Sequence, residues 1–140
     1  LTISLVGVKI IVMKKIILIL ILLCFPAWGE WIPININGAG NTVYIEGDFI
    51  SKKGSYVYYW ELENFKKIDE YGVMSAKIYK EADCNKYGYN NLQFFTYSKP
   101  MGKGDLISSF NPPKKWTYPP TDSSSYHSLR IACDYPKYIK

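Results

Sequence analysis

The chain is short of almost everything that enzymes use. It holds one histidine, His127, and three cysteines, with no Cys-x-x-Cys, no Gly-x-Ser-x-Gly and no His-Glu-x-x-His spacing. His127 and Ser128 are neighbours in sequence, and adjacent residues do not face one another as a catalytic dyad must. These absences exclude the common nucleophilic and zinc-dependent chemistries, so no catalytic residue and no metal site is expected. Internal repeats, long low-complexity tracts and runs of like charge are also missing. Three of the seventeen basic residues, Lys9, Lys14 and Lys15, precede residue 30, leaving fourteen against twelve acidic groups beyond it, about +2. Such a balance carries no nucleic-acid footprint.

The N-terminal residues read as a targeting segment. Met13-Lys14-Lys15 supplies a positive start, Ile16 to Phe25 is a ten-residue apolar run, and Pro26 breaks it. Ala27-Trp28-Gly29 then puts small residues where a signal peptidase requires them, so cleavage is expected between Gly29 and Glu30. Leu1 to Val12 reads as a spurious extension ahead of that leader, and residues 30–140 as a single domain. A membrane anchor is the competing reading, but spanning needs about 20 apolar residues and Lys14 and Lys15 interrupt this stretch. Cys24 follows two leucines rather than the small residue that lipoprotein processing wants, and is expected to leave with the leader.

Cys84 and Cys133 remain, an even number in an exported chain, which points to one disulfide. Closing a loop of about 50 residues removes about 4 kcal/mol of chain entropy from the unfolded state. Two metal-binding thiols would need partners that a single histidine cannot supply.

Beyond residue 30 the chain is rich in tyrosine and punctuated by Gly, Asn and Pro, a pattern of short strands with close turns. Strands are expected over Thr42–Glu46, Tyr56–Leu62, Val73–Ala82, Leu92–Tyr97 and Leu106–Phe110. Ser51 to Ser55 is expected to be a polar turn with Gly54 at positive φ, and Asn85 to Asn91 another. In the strongest strand Tyr56, Tyr58, Trp60 and Leu62 share one face, while Val57, Tyr59 and Glu61 share the other. Met74, Ala76 and Ile78 alternate with Ser75, Lys77 and Tyr79, as in an antiparallel sheet with one wet side. Asn111-Pro112-Pro113 and Tyr118-Pro119-Pro120 bracket a segment that can be neither helix nor central strand. Asp122 or Ser123 could cap a short helix from Ser124 to Ala132. The predicted fold is mainly β: an antiparallel meander of five or six strands, a short C-terminal helix and one disulfide.

Several pieces together resemble a known family. Glu30-Trp31-Ile32-Pro33, Tyr58-Tyr59-Trp60-Glu61-Leu62 followed by Lys66-Lys67, and Tyr79 to Asp83 leading into Cys84 are similar to the surface-adhesin protein E family. So are Lys99-Pro100-Met101-Gly102-Lys103-Gly104, the Pro112-Pro113-Lys114-Lys115-Trp116 to Pro119-Pro120 segment, and Leu129-Arg130-Ile131-Ala132-Cys133. The resemblance covers about Glu30 to Cys133. It implies an antiparallel sheet with a helix packed on it, the disulfide, and an envelope protein that is not an enzyme. It further implies an outer-membrane adhesin that binds host extracellular-matrix or serum proteins, with a link to haem.

The candidate binding residues are Lys52, Lys53, Tyr59, Lys66, Lys67, Tyr79, Lys114, Lys115 and Trp116. The three dibasic pairs could meet acidic protein segments, anionic glycans or lipopolysaccharide, although ordinary loop solvation explains them equally. Tyr59 and Tyr79, with Val57, would form an aromatic contact surface if they lie away from the core. The plainer reading is that tyrosine serves as a half-buried strand former. Trp116, held between proline pairs, either projects for recognition or folds back as a lid over the open side of the sheet. Haem would have only Tyr, Met or His127 as axial ligands. The expected partner is a host matrix or envelope protein, with self-association into a homodimer left open. The expected location is the periplasm or the outer cell surface. A periplasmic domain that binds a small apolar or haem-like ligand beneath the Pro112–Pro120 lid, or a structural envelope component, is the alternative.

Overall fold

The computed structural model describes residues 2–23 and 29–135. The first element, α1 (Thr2–Leu23), covers the expected extension and most of the leader's apolar run. Cys24 and Pro26 to Trp28 lie outside the described residues. Among the described residues no helix is long and apolar enough to cross a membrane.

One antiparallel sheet of seven strands makes up the body: β1 (Trp31–Ile36), β2 (Thr42–Glu46), β3 (Ser51–Lys53), β4 (Tyr56–Asn64), β5 (Ser75–Asp83), β6 (Gly88–Lys99) and β7 (Lys103–Phe110). The order is β1-β2-β4-β5-β6-β7, with β3 paired to the start of β4 on the edge that β2 occupies further along. Two strands are additions to the expected set. β1 contains Pro33, which argues against a central strand; it survives because it is an edge strand whose pairing shifts between Pro33 and Asn35. Ser51 to Lys53, expected as turn, pairs with Tyr56 to Tyr58, and only Gly54 (φ 63°) and Ser55 reverse the chain. The turn after β5 is shorter than expected, so β6 starts at Gly88 rather than Leu92.

Helix α2 (Ser124–Asp134) lies on one face of this sheet. Ser123 is its cap, its hydroxyl accepting the Tyr126 N–H at 3.2 Å, which decides between the two capping candidates. Leu129 and Ala132 are buried against Ile45, Val57, Tyr59 and Ala82, the centre of the core. A disulfide joins Cys84 to Cys133 with Cα atoms 5.6 Å apart, tying the end of β5 to the last turn of α2.

Polar groups complete the joint. Glu61 on β4 and Lys80 on β5 form an ion pair at 2.8 Å with both side chains buried, and the Ser128 hydroxyl of α2 donates to the other oxygen of Glu61 at 2.6 Å. The Lys80 ammonium also lies 4.4 Å from the centre of the Tyr89 ring. All the groups of this cluster therefore meet beneath α2, on the face opposite the one left open.

Candidate functional site

Alternation gives β4 and β5 two faces, and α2 covers the one that carries Val57, Tyr59 and Glu61. Tyr59 is fully buried there, at 0% exposure, and leaves the set of candidate surface residues. Its ring fills the space beneath the helix, and burial pushes its hydroxyl well above the usual phenol pKa. Tyr79 points the other way, paired across the strands with Trp60. The two tyrosines therefore belong to opposite sides of the sheet.

On the open side the aromatic rings run in a nearly continuous stripe. Trp116 stacks on Tyr56 with centroids 5.7 Å apart. Tyr58 lies 6.3 Å from Tyr79, Tyr79 4.9 Å from Trp60, and Trp60 5.8 Å from Phe95. Further along, the Lys77 ammonium sits 5.6 Å from the Trp31 ring and 5.5 Å from the Tyr97 ring. An open groove of about 580 Å³ lies over this second half, walled by Trp31, Trp60, Tyr79, Phe95 and Tyr97, with Lys77 and Glu46 among its lining. Offset and tilted ring pairs of this kind hold each other rigid while leaving faces and edges accessible, which suits a surface that docks another molecule.

The dibasic pairs divide. Lys53 lies 5.3 Å from the Tyr58 ring, and Lys114 lies 5.9 Å from the Trp116 ring and 3.7 Å from Glu81, so both flank the near end of the stripe. The Tyr58 hydroxyl donates to Glu81 at 2.8 Å, and this bond is the largest cause of its raised pKa. Lys52 pairs with Val57, which faces the helix side, and its register places it there too. The Lys115 N–H donates to Asn90 at 3.0 Å, an anchor for the proline segment. Lys66 and Lys67 sit apart, lining a shallow hollow with Ala39, Asn41 and Phe65.

Trp116 is folded back rather than projected, as the lid reading expects, but it caps only the Tyr56 end. Behind it, Thr117 exchanges backbone hydrogen bonds with Tyr89, and Tyr118 packs so closely on Gly88 that a Cβ there would stand 2.6 Å from the ring. Gly88→Val should therefore displace the proline segment and free Trp116. Stronger quenching of tryptophan fluorescence by iodide would report it.

The groove contains no residue of Pro112 to Pro120, so it is not the space beneath that lid. His127 belongs to α2, across the sheet from Tyr79 and Tyr97, so it cannot share one macrocycle with either. Haem ligated by His127 and a groove tyrosine does not fit this arrangement.

Sequence reasoning missed Trp31, Trp60, Lys77, Phe95 and Tyr97 as site residues. The signal was the apolar alternation of Ala76 and Ile78, which marked the buried face of β5 and left Lys77 and Tyr79 on the other; pairing carries that assignment to Trp60 and Phe95.

A family profile described as surface-adhesin protein E matches residues 31–134. The chain belongs to the surface-adhesin protein E family. The matched span runs from the start of β1 to the end of α2, so membership covers the sheet, the groove, the proline segment and the disulfide together. The solved structures agree in fold. Crystal form II of Haemophilus influenzae protein E superposes with a TM-score of 0.60 at 19% identity, covering 82% of this chain and 94% of that one. Another structure of the same Haemophilus influenzae protein gives 0.57 at 18% identity, covering 80% and 90%. No curated protein matches the chain in sequence. Identity this low transfers the fold and no individual contact. Membership in a family of surface adhesins points to binding rather than catalysis.

Proposed function

We propose that this protein is an exported bacterial adhesin that holds a host extracellular-matrix or serum protein in the aromatic groove on the open face of its sheet. The observation that carries this reading is the groove itself: six aromatic side chains, five on the sheet and Phe49 beside it, at a site the helix leaves uncovered. Family membership supplies the adhesive role. Lys53 and Lys114, at the Tyr56 and Tyr58 end of the stripe, would steer acidic segments of the partner toward the groove, a contribution that salt screens.

The test is binding of purified protein from residue 30 onward to immobilised matrix and serum proteins. Trp60→Ala should weaken binding at least tenfold, since an aromatic hot spot is worth about 2 kcal/mol or more and tenfold is about 1.4 kcal/mol. Alanine at Lys66 and Lys67, away from the groove, should leave it unchanged. Undiminished binding by Trp60→Ala, or no binding at low ionic strength, overturns the proposal. Outer-surface display has its own check: an antibody against the domain should label intact cells, and labelling only after permeabilisation would confine the protein to the periplasm and abandon host contact.

A further inference from the structure

Beside the groove, one carboxylate packs against Gly29 and another meets the backbone of Glu30. Its carbonyl accepts the Gly47 N–H at 3.1 Å and its own N–H donates to Asp48 Oδ2 at 3.2 Å, so this residue is already docked by its main chain. Glu46 is only 6% exposed and lines both the groove and the hollow that adjoins it, yet its Oε1 has no hydrogen-bond partner among the described residues. That oxygen packs against Gly29 so tightly that a Cβ at Gly29 would fall on it. Burial first and the Asp48 charge second raise the Glu46 pKa, while Lys77 lowers it. A single amide N–H cannot serve both acids, whereas an ammonium carries three donors.

We propose that Glu46 and Asp48 form a seat for the α-ammonium group of Glu30, filled when the chain is cut after Gly29. This rests on the reading that the leader is removed at that bond. Water hydrolyses the Gly29–Glu30 amide at the leader peptidase, Gly29 departs with the new carboxylate, and the amine left on Glu30 takes up a proton. Cutting removes the residue that crowds Glu46 Oε1 and creates the cation that satisfies it. Because Gly29 lines the adjoining hollow and Trp31 walls the groove, the same step opens one end of the site and pins the wall beside it. The groups facing the new terminus are Asp48, Glu46 on β2, Lys77 on β5, Lys103 on β7 at the adjoining hollow, and the side chain of Glu30 itself.

An α-ammonium between two carboxylates should titrate above its ordinary value of about 7.7 to 8.0. Its folded value being raised, its stabilisation is complete below about pH 7.7 and lost as the pH climbs through the folded value. The experiment uses protein recovered from the envelope, with intact mass fixing its first residue and NMR titrating the α-amine. Expected results are a start at Glu30 and a raised α-amine pKa that falls by about one unit or more in Asp48→Asn. Thermal stability should also drop more between pH 6 and pH 10 in this protein than in the same protein acetylated at Glu30. A different first residue overturns the premise of cleavage, and an α-amine that titrates at its ordinary value overturns the seat.

Discussion

Glu61→Ala should destabilise the fold by about 3 to 5 kcal/mol, read as a lowered urea midpoint, because it strands the Lys80 ammonium in the core. Lys80 is 3% exposed, and once the carboxylate is gone the contact left to its ammonium among the described residues is the Tyr89 ring. The Ser128 hydroxyl keeps the Ser124 and Ser125 carbonyls of its own helix but loses its bond to the sheet in the same substitution, loosening α2. Removing both charges together, as Glu61→Leu with Lys80→Met, should return most of the loss, since a buried pair is often replaceable by apolar groups of similar volume. The double-mutant cycle separates the pair's own attraction from the cost of an orphaned charge. A single Glu61→Ala protein as stable as the wild type would contradict the burial of this pair.

Replacing Cys84 and Cys133 by serine should cost about 4 kcal/mol by the chain-entropy account, because the bridge closes 49 positions of sequence. For a domain near 100 residues that lowers the melting temperature by roughly 15 to 30 °C. Because the bridge also cross-links α2 directly to the sheet, local opening of the helix should become easier as well, and amide exchange should become fast in Ser124–Asp134 before it does in β4 and β5. Uniform exchange throughout the sheet and helix would show instead that the bridge acts on the whole domain. Because α2 covers Tyr59, its release would also expose a second aromatic face and make the protein adhere nonspecifically.

The helix and the groove depend on each other through the sheet. Covering one face with α2 buries Val57, Tyr59 and Ala82 and leaves the other face without a layer. An aromatic face left open in this way is the kind of surface by which proteins contact other molecules. On that face the Lys77 ammonium lies over both the Trp31 and Tyr97 rings, a cation–π contact that holds the rings in place.

Period-two alternation, turn residues and the count of cysteines were enough to place the main strands, the C-terminal helix and the Cys84–Cys133 bridge, because each depends on local backbone preference or on simple pairing. β1 and β3 escaped this reading: Pro33 disguises an edge strand, and Ser51 to Lys53 is too short and too polar to signal pairing on its own. The fate of individual site residues needed the third dimension. Alternation defines two faces of β4 yet is silent on which one a distant helix will cover, so Tyr59 and Trp60 looked alike until α2 settled on Tyr59. Nothing in the local run around Lys80 marks it as buried; that follows only when Glu61 and, through it, Ser128 are brought to it from two other elements. Lys53 and Lys114 become neighbours of one aromatic stripe only when β3 and the proline segment fold to the same end of the sheet, and long-range packing of that kind is not written in any local run of residues.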